Sequence, residues 1–391
     1  MLTQRQLFFK NLAQTSETPL ALEIEKAEGM YLYDTDKKKY MDLISGISVS
    51  NTGHRHPHII KAIKEQTDKY LHLMVYGEYI QSPQVKLAKM LSDILPKSLD
   101  NTYFVNSGSE ATEGALKLAK KNTGRTEIIA FKNAYHGSTH GSLSVMGNEY
   151  FKQAFRPLLP DIRFIEFNNS DNLKFITDKT ACVISETIQG EAGVRVPDVS
   201  FMEKIREKCS QSGALLILDE VQTGLGRTGK MFAFEHYNII PDIITLAKGF
   251  GGGMPLGAFI SSKEIMQCLS KNPFLGHITT FGGHPVCCAA AIANLEVIKN
   301  ENLAEKAEAK GELFKKLLKH PQILSVRGKG LLMAIEFKDE KTNIEIVNKC
   351  LEKGLLVDWF LFAPNCMRIA PPLIISENEI NEASEIILAS L

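Results

Sequence analysis

Short apolar runs that end at polar or glycine-rich turns recur along the chain at 102–105, 128–131, 162–167, 181–185, 214–218, 243–246 and 257–260. They are continuous rather than alternating, so each reads as a strand covered on both faces. Helical patterns fill gaps between them at 110–121, 200–212 and 287–300, the last Ala-rich and opening soon after Pro285. Strands buried on both sides and joined through helices require a mostly parallel sheet with helices on its two faces, the α/β class.

The two ends read differently. A charged helix at 302–319 and shorter strands at 323–326, 331–337 and 367–369 suggest a second, smaller α/β unit. Near the start, Met30-Tyr31-Leu32-Tyr33 and Tyr40-Met41-Asp42-Leu43 form a hairpin pattern. Two strands cannot bury an apolar face alone, so this hairpin is expected to pack on the C-terminal unit or on a partner chain. No fixed-period repeat and no low-complexity linker divides the sequence.

Composition narrows the function. A hydrophobic content of 44% with 23% charged residues excludes disordered and fibrous classes. Lys plus Arg and Asp plus Glu each number 45, so no net positive field is available to hold nucleic acid or anionic lipid. A small-molecule partner is expected. The seven cysteines show no paired spacing, which points to free thiols in a reducing compartment. With no window of about 18 uninterrupted apolar residues, a cytoplasmic location is expected.

Two strand ends carry the chemistry. Leu215-Leu216-Ile217-Leu218 runs into Asp219, and Ile243-Ile244-Thr245-Leu246 runs through Ala247 into Lys248. Carboxyl ends of strands are where open α/β sheets bind ligands. An aspartate beside a protonated pyridine nitrogen together with a lysine amine fits a pyridoxal cofactor bound as a Schiff base. Either residue alone would read as a helix-capping carboxylate or a solvated lysine. Their joint occurrence, with Gln222 three residues after the acid and glycines after the lysine, favours the cofactor. Asn106-Ser107-Gly108-Ser109-Glu110-Ala111 follows a strand and opens a helix, the setting of a backbone phosphate cradle, although an ordinary serine N-cap explains the same residues.

Other motifs fail on context. Gly224-Leu225-Gly226-Arg227-Thr228-Gly229 fits GxGxxG and nearly completes a Walker A loop with Lys230. Met231 stands where a hydroxyl would meet magnesium, and the segment from Asp219 to Thr223 separates the strand from the first glycine. His54 and His56, in Gly53-His54-Arg55-His56-Pro57-His58, lack a nearby cysteine or carboxylate cluster, so they read as a polar turn before a helix after Pro57, with no metal.

Taken in order, the motifs resemble class III aminotransferases over nearly the whole chain. They are Gly46-Ile47-Ser48-Val49 with Gly53-His54, the Asn106–Ala111 stretch, Tyr135-His136-Gly137, and Glu186-Thr187-Ile188-Gln189-Gly190-Glu191-Ala192-Gly193. Leu218-Asp219-Glu220-Val221-Gln222-Thr223 with the glycine-rich continuation follows, then Ala247-Lys248-Gly249, Thr279-Thr280-Phe281-Gly282-Gly283 and Met367-Arg368-Ile369-Ala370-Pro371-Pro372. The resemblance implies a fold type I pyridoxal-phosphate enzyme. Its large cofactor domain would span 51–294 and its small domain 295–391, with 1–50 packing beside the latter. It further implies a homodimer with sites at the subunit interface.

By the same resemblance, Lys248 is the Schiff-base lysine and proton-transfer base, Asp219 pairs with the pyridine nitrogen, and Gln222 meets the phenolic oxygen. Ser107, Gly108 and Ser109 hold the phosphate, joined by Thr280 from the second subunit. Tyr135 stacks on the ring, with His136 beside it and Glu186 behind. Arg368 binds a substrate carboxylate and forms a switchable ion pair with Glu191; Ser138 and Thr279 complete the substrate side. Three positions depart from the family pattern: Thr187 replaces a proline, His284 replaces an asparagine, and Ser138 replaces an arginine that binds the donor's carboxylate. The implied reaction is amino transfer from acetylornithine, ornithine or a related ω-amino compound to 2-oxoglutarate. The alternatives are an aminomutase or decarboxylase on the same scaffold and, after these, a non-catalytic binding protein, against which the presence of both Lys248 and Asp219 argues.

Overall fold

The computed structural model describes residues 2–391 and contains three sheets. An N-terminal hairpin of β1 (Ile24–Glu28), β2 (Tyr31–Asp34) and β3 (Lys39–Asp42) does not stand alone. The central sheet is formed by β4 (Asn101–Val105), β5 (Glu127–Phe131), β6 (Ile162–Ile165), β7 (Thr180–Glu186), β8 (Leu215–Asp219), β9 (Ile243–Leu246) and β10 (Gly257–Ser261). Toward the C-terminus come β11 (Ser325–Lys329), β12 (Leu332–Glu336), β13 (Leu355–Leu356), β14 (Asp358–Phe360) and β15 (Ala363–Ile369). The hairpin is completed by β13, which pairs in parallel with β3 through Leu355↔Met41 and Leu356↔Asp42.

The central sheet has the order β4-β10-β9-β8-β7-β5-β6, and only β10 runs antiparallel to its neighbours. Every residue of β7 is buried, as a strand covered on both faces requires. The apolar run at 162–167 ends as a strand at Ile165. β6 is an edge strand whose partner β5 ends opposite, at Phe131↔Ile165, and Asn168 then turns the chain with φ 57°.

This arrangement gathers the carboxyl ends of β4, β5, β7, β8 and β9 on one edge. Glu186 stands opposite Asp219 in register, and Asp219 opposite Thr245. The amino end of antiparallel β10 reaches the same edge, where a Cβ on Gly257 would lie 2.4 Å from the Ser107 carbonyl oxygen. The Gly108–Thr123 helix crosses the sheet on a close approach: a Cβ on Gly114 would meet the Phe259 ring at 2.2 Å.

Between the central sheet and the C-terminal sheet, ordered β11-β12-β15-β14, lies the turn that contains Gly224 to Gly229. Its Arg227 is fully buried. Nη1 donates to the carbonyls of Leu331 (3.1 Å) and Pro371, and Nη2 donates to Asn51 Oδ1 at 2.6 Å. Gly226 (φ 88°) and Gly229 (φ 96°) supply the left-handed backbone this turn needs, and Gly226 packs on Ala304. The glycine-rich motif is thus a structural turn carrying a buried guanidinium. Among the described residues, no helix is long and apolar enough to cross a membrane.

Replacing Arg227 with alanine would leave two carbonyls and an amide oxygen buried without their charged donor. The expected loss is about 3 kcal/mol or more of unfolding free energy, read as a lower urea midpoint. An unchanged midpoint would mean that this guanidinium does not tie the segments together.

Candidate active site

The polar edge of the central sheet opens into a cavity of about 480 Å³. Its walls include Ser107, Gly108, Ser109, Tyr135, His136, Glu186, Glu191, Asp219, Gln222 and Lys248, so the structure brings together ten residues singled out by the sequence. Four others stand off. Arg368 lies behind Glu191, Ser138 is exposed at the rim, Thr279 is held by Asn106, and Thr280 is exposed away from the cavity.

Lys248 leaves β9 with φ 50°, a left-handed conformation costly for a residue with a side chain. Its amine forms no hydrogen bond among the described residues. Burial pushes it below the ordinary lysine range, which eases loss of its proton. The backbone just after it is held from behind: Asn294 Nδ2 donates to the Gly249 carbonyl at 2.8 Å, and Thr52 Oγ1 donates to Asn294 Oδ1 at 3.1 Å. The Asn51 side chain packs so closely that a Cβ on Gly249 would meet its Nδ2 at 2.6 Å.

Asp219 ends β8 with one oxygen accepting from the Val221 N–H (2.9 Å) and the other 2.7 Å from His136 Nδ1. That bond fixes the imidazole and leaves His136 Nε2 buried with no partner. Gln222 Oε1 is likewise buried and unpartnered. Glu186 accepts from the N–H groups of Tyr135 and Gly190, both at 2.8 Å, yet burial raises its carboxyl to about 7. At the opposite wall, Ser107 caps the Gly108–Thr123 helix by accepting from Glu110 N–H at 3.1 Å. A Cβ on Gly108 would meet Val221 at 2.9 Å, so glycine there keeps the helix start close to the wall.

Orphaned polar atoms on His136 and Gln222, a buried lysine amine without a hydrogen-bond partner among the described residues, an aspartate at a strand end and a helix N-terminus with its N–H groups fit an anionic pyridoxal phosphate. Ser138 donates its N–H to Ser109 Oγ (3.3 Å), and its hydroxyl lies 3.2 Å from the Tyr135 hydroxyl.

Arg368 is buried, on β15. Nη1 and Nη2 reach the two Glu191 oxygens at 2.9 Å each, while Nε donates to Asp358 Oδ1 at 3.0 Å. Burial opposes the ionisation of Glu191, but the Arg368 charge and hydrogen bonds hold its carboxyl below the ordinary range.

The three histidines of the opening turn are accounted for. His54 pairs with Asp42 at 2.8 Å, His56 caps the Pro57–Thr67 helix, and His58 reaches Glu296 at 2.6 Å. Sequence reasoning missed Asn51, Thr52 and Asn294 behind Lys248, Val49 in the cavity wall, and Asp358 beside Arg368. The partners of Asn51, Thr52 and Asn294 lie far away in the chain, and Asp358 meets Arg368 only through the β14–β15 pairing, so no local pattern marks them.

Residues 12–391 match the model of the family described as aminotransferase class-III. The chain belongs to that family, and its cofactor is pyridoxal 5'-phosphate. It is 43% identical over 380 residues to an acetylornithine aminotransferase of Archaeoglobus fulgidus, covering 97% of this chain and 98% of that one. A Sulfurisphaera tokodaii protein named LysW-aminoadipate semialdehyde/glutamate semialdehyde transaminase is 43% identical over 323 residues, 81% of this chain and 82% of that one. A Toxoplasma gondii ornithine aminotransferase, described with partial occupancy of PLP at its active site, superposes with TM-score 0.91 at 30% identity, over 99% of this chain and 93% of that one.

The Thr187 departure has a physical reason. Its hydroxyl donates to fully buried Glu220 at 2.8 Å, alongside Thr223 Oγ1 and the N–H groups of Ala233 and Phe234. Burial still raises Glu220 to about 7. Thr187→Val removes one donor and should cost about 1–2 kcal/mol. An acid raised in the folded state contributes stability that is lost as pH rises through its folded pKa, and this variant raises Glu220 further. The loss should therefore be larger near about pH 8 than about pH 5.5. Urea midpoints at both values check this, and a loss independent of pH would contradict it.

Proposed function

We propose that the chain transfers an amino group from acetylornithine, ornithine or a related ω-amino donor to 2-oxoglutarate, in two half-reactions at one site, as a cytoplasmic homodimer. The observation that carries this reading is the Arg368 guanidinium held behind Glu191, a carboxylate that itself lines the cavity. A planar fork suits one more carboxylate, and Glu191 neutralises it when none is bound.

Bound pyridoxal phosphate supplies an electron sink for the carbon that carries the amine. Lys248 would hold it covalently and then, as a free amine, move the proton at that carbon through Nζ. Asp219 would stabilise a proton on the pyridine nitrogen, with His136 Nδ1 fixing its orientation. Gln222 would meet the phenolic oxygen, Ser107, Gly108 and Ser109 the phosphate, and Tyr135 the ring face, with Glu186 behind. Ser138 and Thr279 would border the substrate, where Ser138 offers a hydroxyl rather than a guanidinium to the donor's distal end. The relatives' names support an acetylornithine-type donor. Residues 51–294 would form the cofactor domain and 295–391 the small domain, with 1–50 packed on the latter. The seven cysteines, all free, support a reducing compartment.

The dimer reading rests on an exposed apolar strip. Ile80 is 96% exposed and Phe274 76%, with Tyr79, Val85, Ile278 and Phe281 also exposed. The 75–88 and 279–282 segments share one groove, and exposed Thr280 belongs to the second of them. A second copy would cover this strip and bring Thr280 to its partner's phosphate.

Arg368→Ala should lower kcat/KM for 2-oxoglutarate and glutamate by roughly tenfold or more, with a smaller loss for the amino donor. Glu191→Ala should shift preference toward glutamate. Single-turnover conversion of the cofactor, followed by absorbance for each substrate, measures both; equal losses in Arg368→Ala would refute the shared-pocket reading.

Mixing inactive Lys248→Ala subunits with inactive Thr280→Ala subunits should restore activity, since one of the two sites in a mixed dimer keeps both residues. No recovery despite demonstrated subunit exchange would mean that Thr280 does not serve its partner's site.

A further inference from the structure

Arg368 is gripped from two sides that belong to different parts of the molecule. Glu191, from the segment after β7, takes the Nη1 and Nη2 edge. On the other side the partners come from β14, which neighbours β15 in the same sheet. Asp358 stands directly opposite Arg368 in the β14–β15 register and accepts from Nε at 3.0 Å. Two residues on, the Phe360 ring lies 4.5 Å below the guanidinium carbon, and the Trp359 carbonyl accepts from Nη2 at 3.2 Å. The Asp358 side chain is largely buried, and its second oxygen accepts no hydrogen bond among the described residues.

We propose that Asp358 is a positioning residue for substrate carboxylate recognition: it anchors the Nε side of Arg368, so that when Glu191 is displaced the Nη edge stays paired, oriented and open to the incoming carboxylate. The inference rests on the reading of Arg368 as the carboxylate site.

One physical point supports it. Exchanging Glu191 for a substrate carboxylate swaps one negative charge for another at the same edge. Repulsion from the Asp358 charge therefore weighs almost equally before and after, and largely cancels. Orientation does not cancel: a long, rotatable side chain freed at Nε must be ordered again each time a substrate binds. The anchor should then act through its acceptor oxygen more than through its charge.

The test is glutarate, an unreactive dicarboxylate, titrated calorimetrically into cofactor-loaded wild-type, Asp358→Ala, Asp358→Asn and Arg368→Ala proteins. KM for 2-oxoglutarate and the single-turnover rate with the best amino donor are measured alongside. Asparagine keeps an acceptor for Nε and puts its amide in place of an oxygen that accepts no hydrogen bond among the described residues. Asp358→Ala should weaken glutarate binding and raise the 2-oxoglutarate KM by about tenfold, with the donor rate falling less than about threefold. Asp358→Asn should restore both to within about threefold of wild type. A purely structural role would lower cofactor content and both half-reactions together, and that result overturns the proposal. So does an asparagine variant as impaired as the alanine one, or an alanine variant with wild-type glutarate affinity. Arg368→Ala separates the two levels. If it binds glutarate like wild type, the carboxylate-site reading falls and this inference falls with it. If it loses binding while Asp358→Ala does not, only the role of Asp358 is refuted.

Discussion

One buried guanidinium, Arg227, holds the framework on which the site depends. It reaches Asn51 from the start of the chain, Leu331 at the turn into β12 and Pro371 just past β15. Its two Nη groups find their acceptors where these three segments meet, while Nε stays buried without a partner. Asn51 relays the constraint onward. Its amide donates to the Leu225 carbonyl at 3.0 Å, its own carbonyl accepts from Leu373 N–H at 2.7 Å, and its side chain lies against Gly249. The strained backbone of Lys248 is thus braced by a polar cluster whose members come from the two ends and the middle of the sequence.

The carboxylates near the cavity show how burial and pairing compete. Glu186 and Glu220 each receive good donors, two and four respectively, yet burial raises both to about 7. Glu191 and Asp358 share one guanidinium and diverge. Glu191, bidentate and near Lys248, is held below the usual range; burial pushes Asp358 up to about 6 against the pull of Arg368, with the Glu191 charge adding to the rise. A single-point contact does not offset burial as a forked one does.

Much of this was legible in the sequence because it is local. Continuous apolar runs specified the central strands, and charged residues at two strand ends marked Asp219 and Lys248. The Ser107 cap announced the helix that lines the cavity. What stayed hidden depends on contacts made in the folded chain: Asn294 is one more polar residue in an Ala-rich helix until its amide is seen on the Gly249 carbonyl. Asp358 looks like an isolated acid until register places it opposite Arg368. Thr187 appeared as a lapse from a family proline, and only the buried Glu220 carboxylate explains its hydroxyl.

The parallel pairing of β3 with β13 imposes an order in time. The strand partner of Met41, Leu355, follows roughly 300 residues later, which at about 5–20 residues per second is a delay on the order of 15–60 s on the ribosome. Through that interval the hairpin carries Met30, Tyr40 and Met41, all buried in the finished protein, without the strand that completes their sheet. The nascent chain must keep this surface from other chains until β13 has emerged. Closure of this sheet therefore waits on the residues that separate β3 from β13.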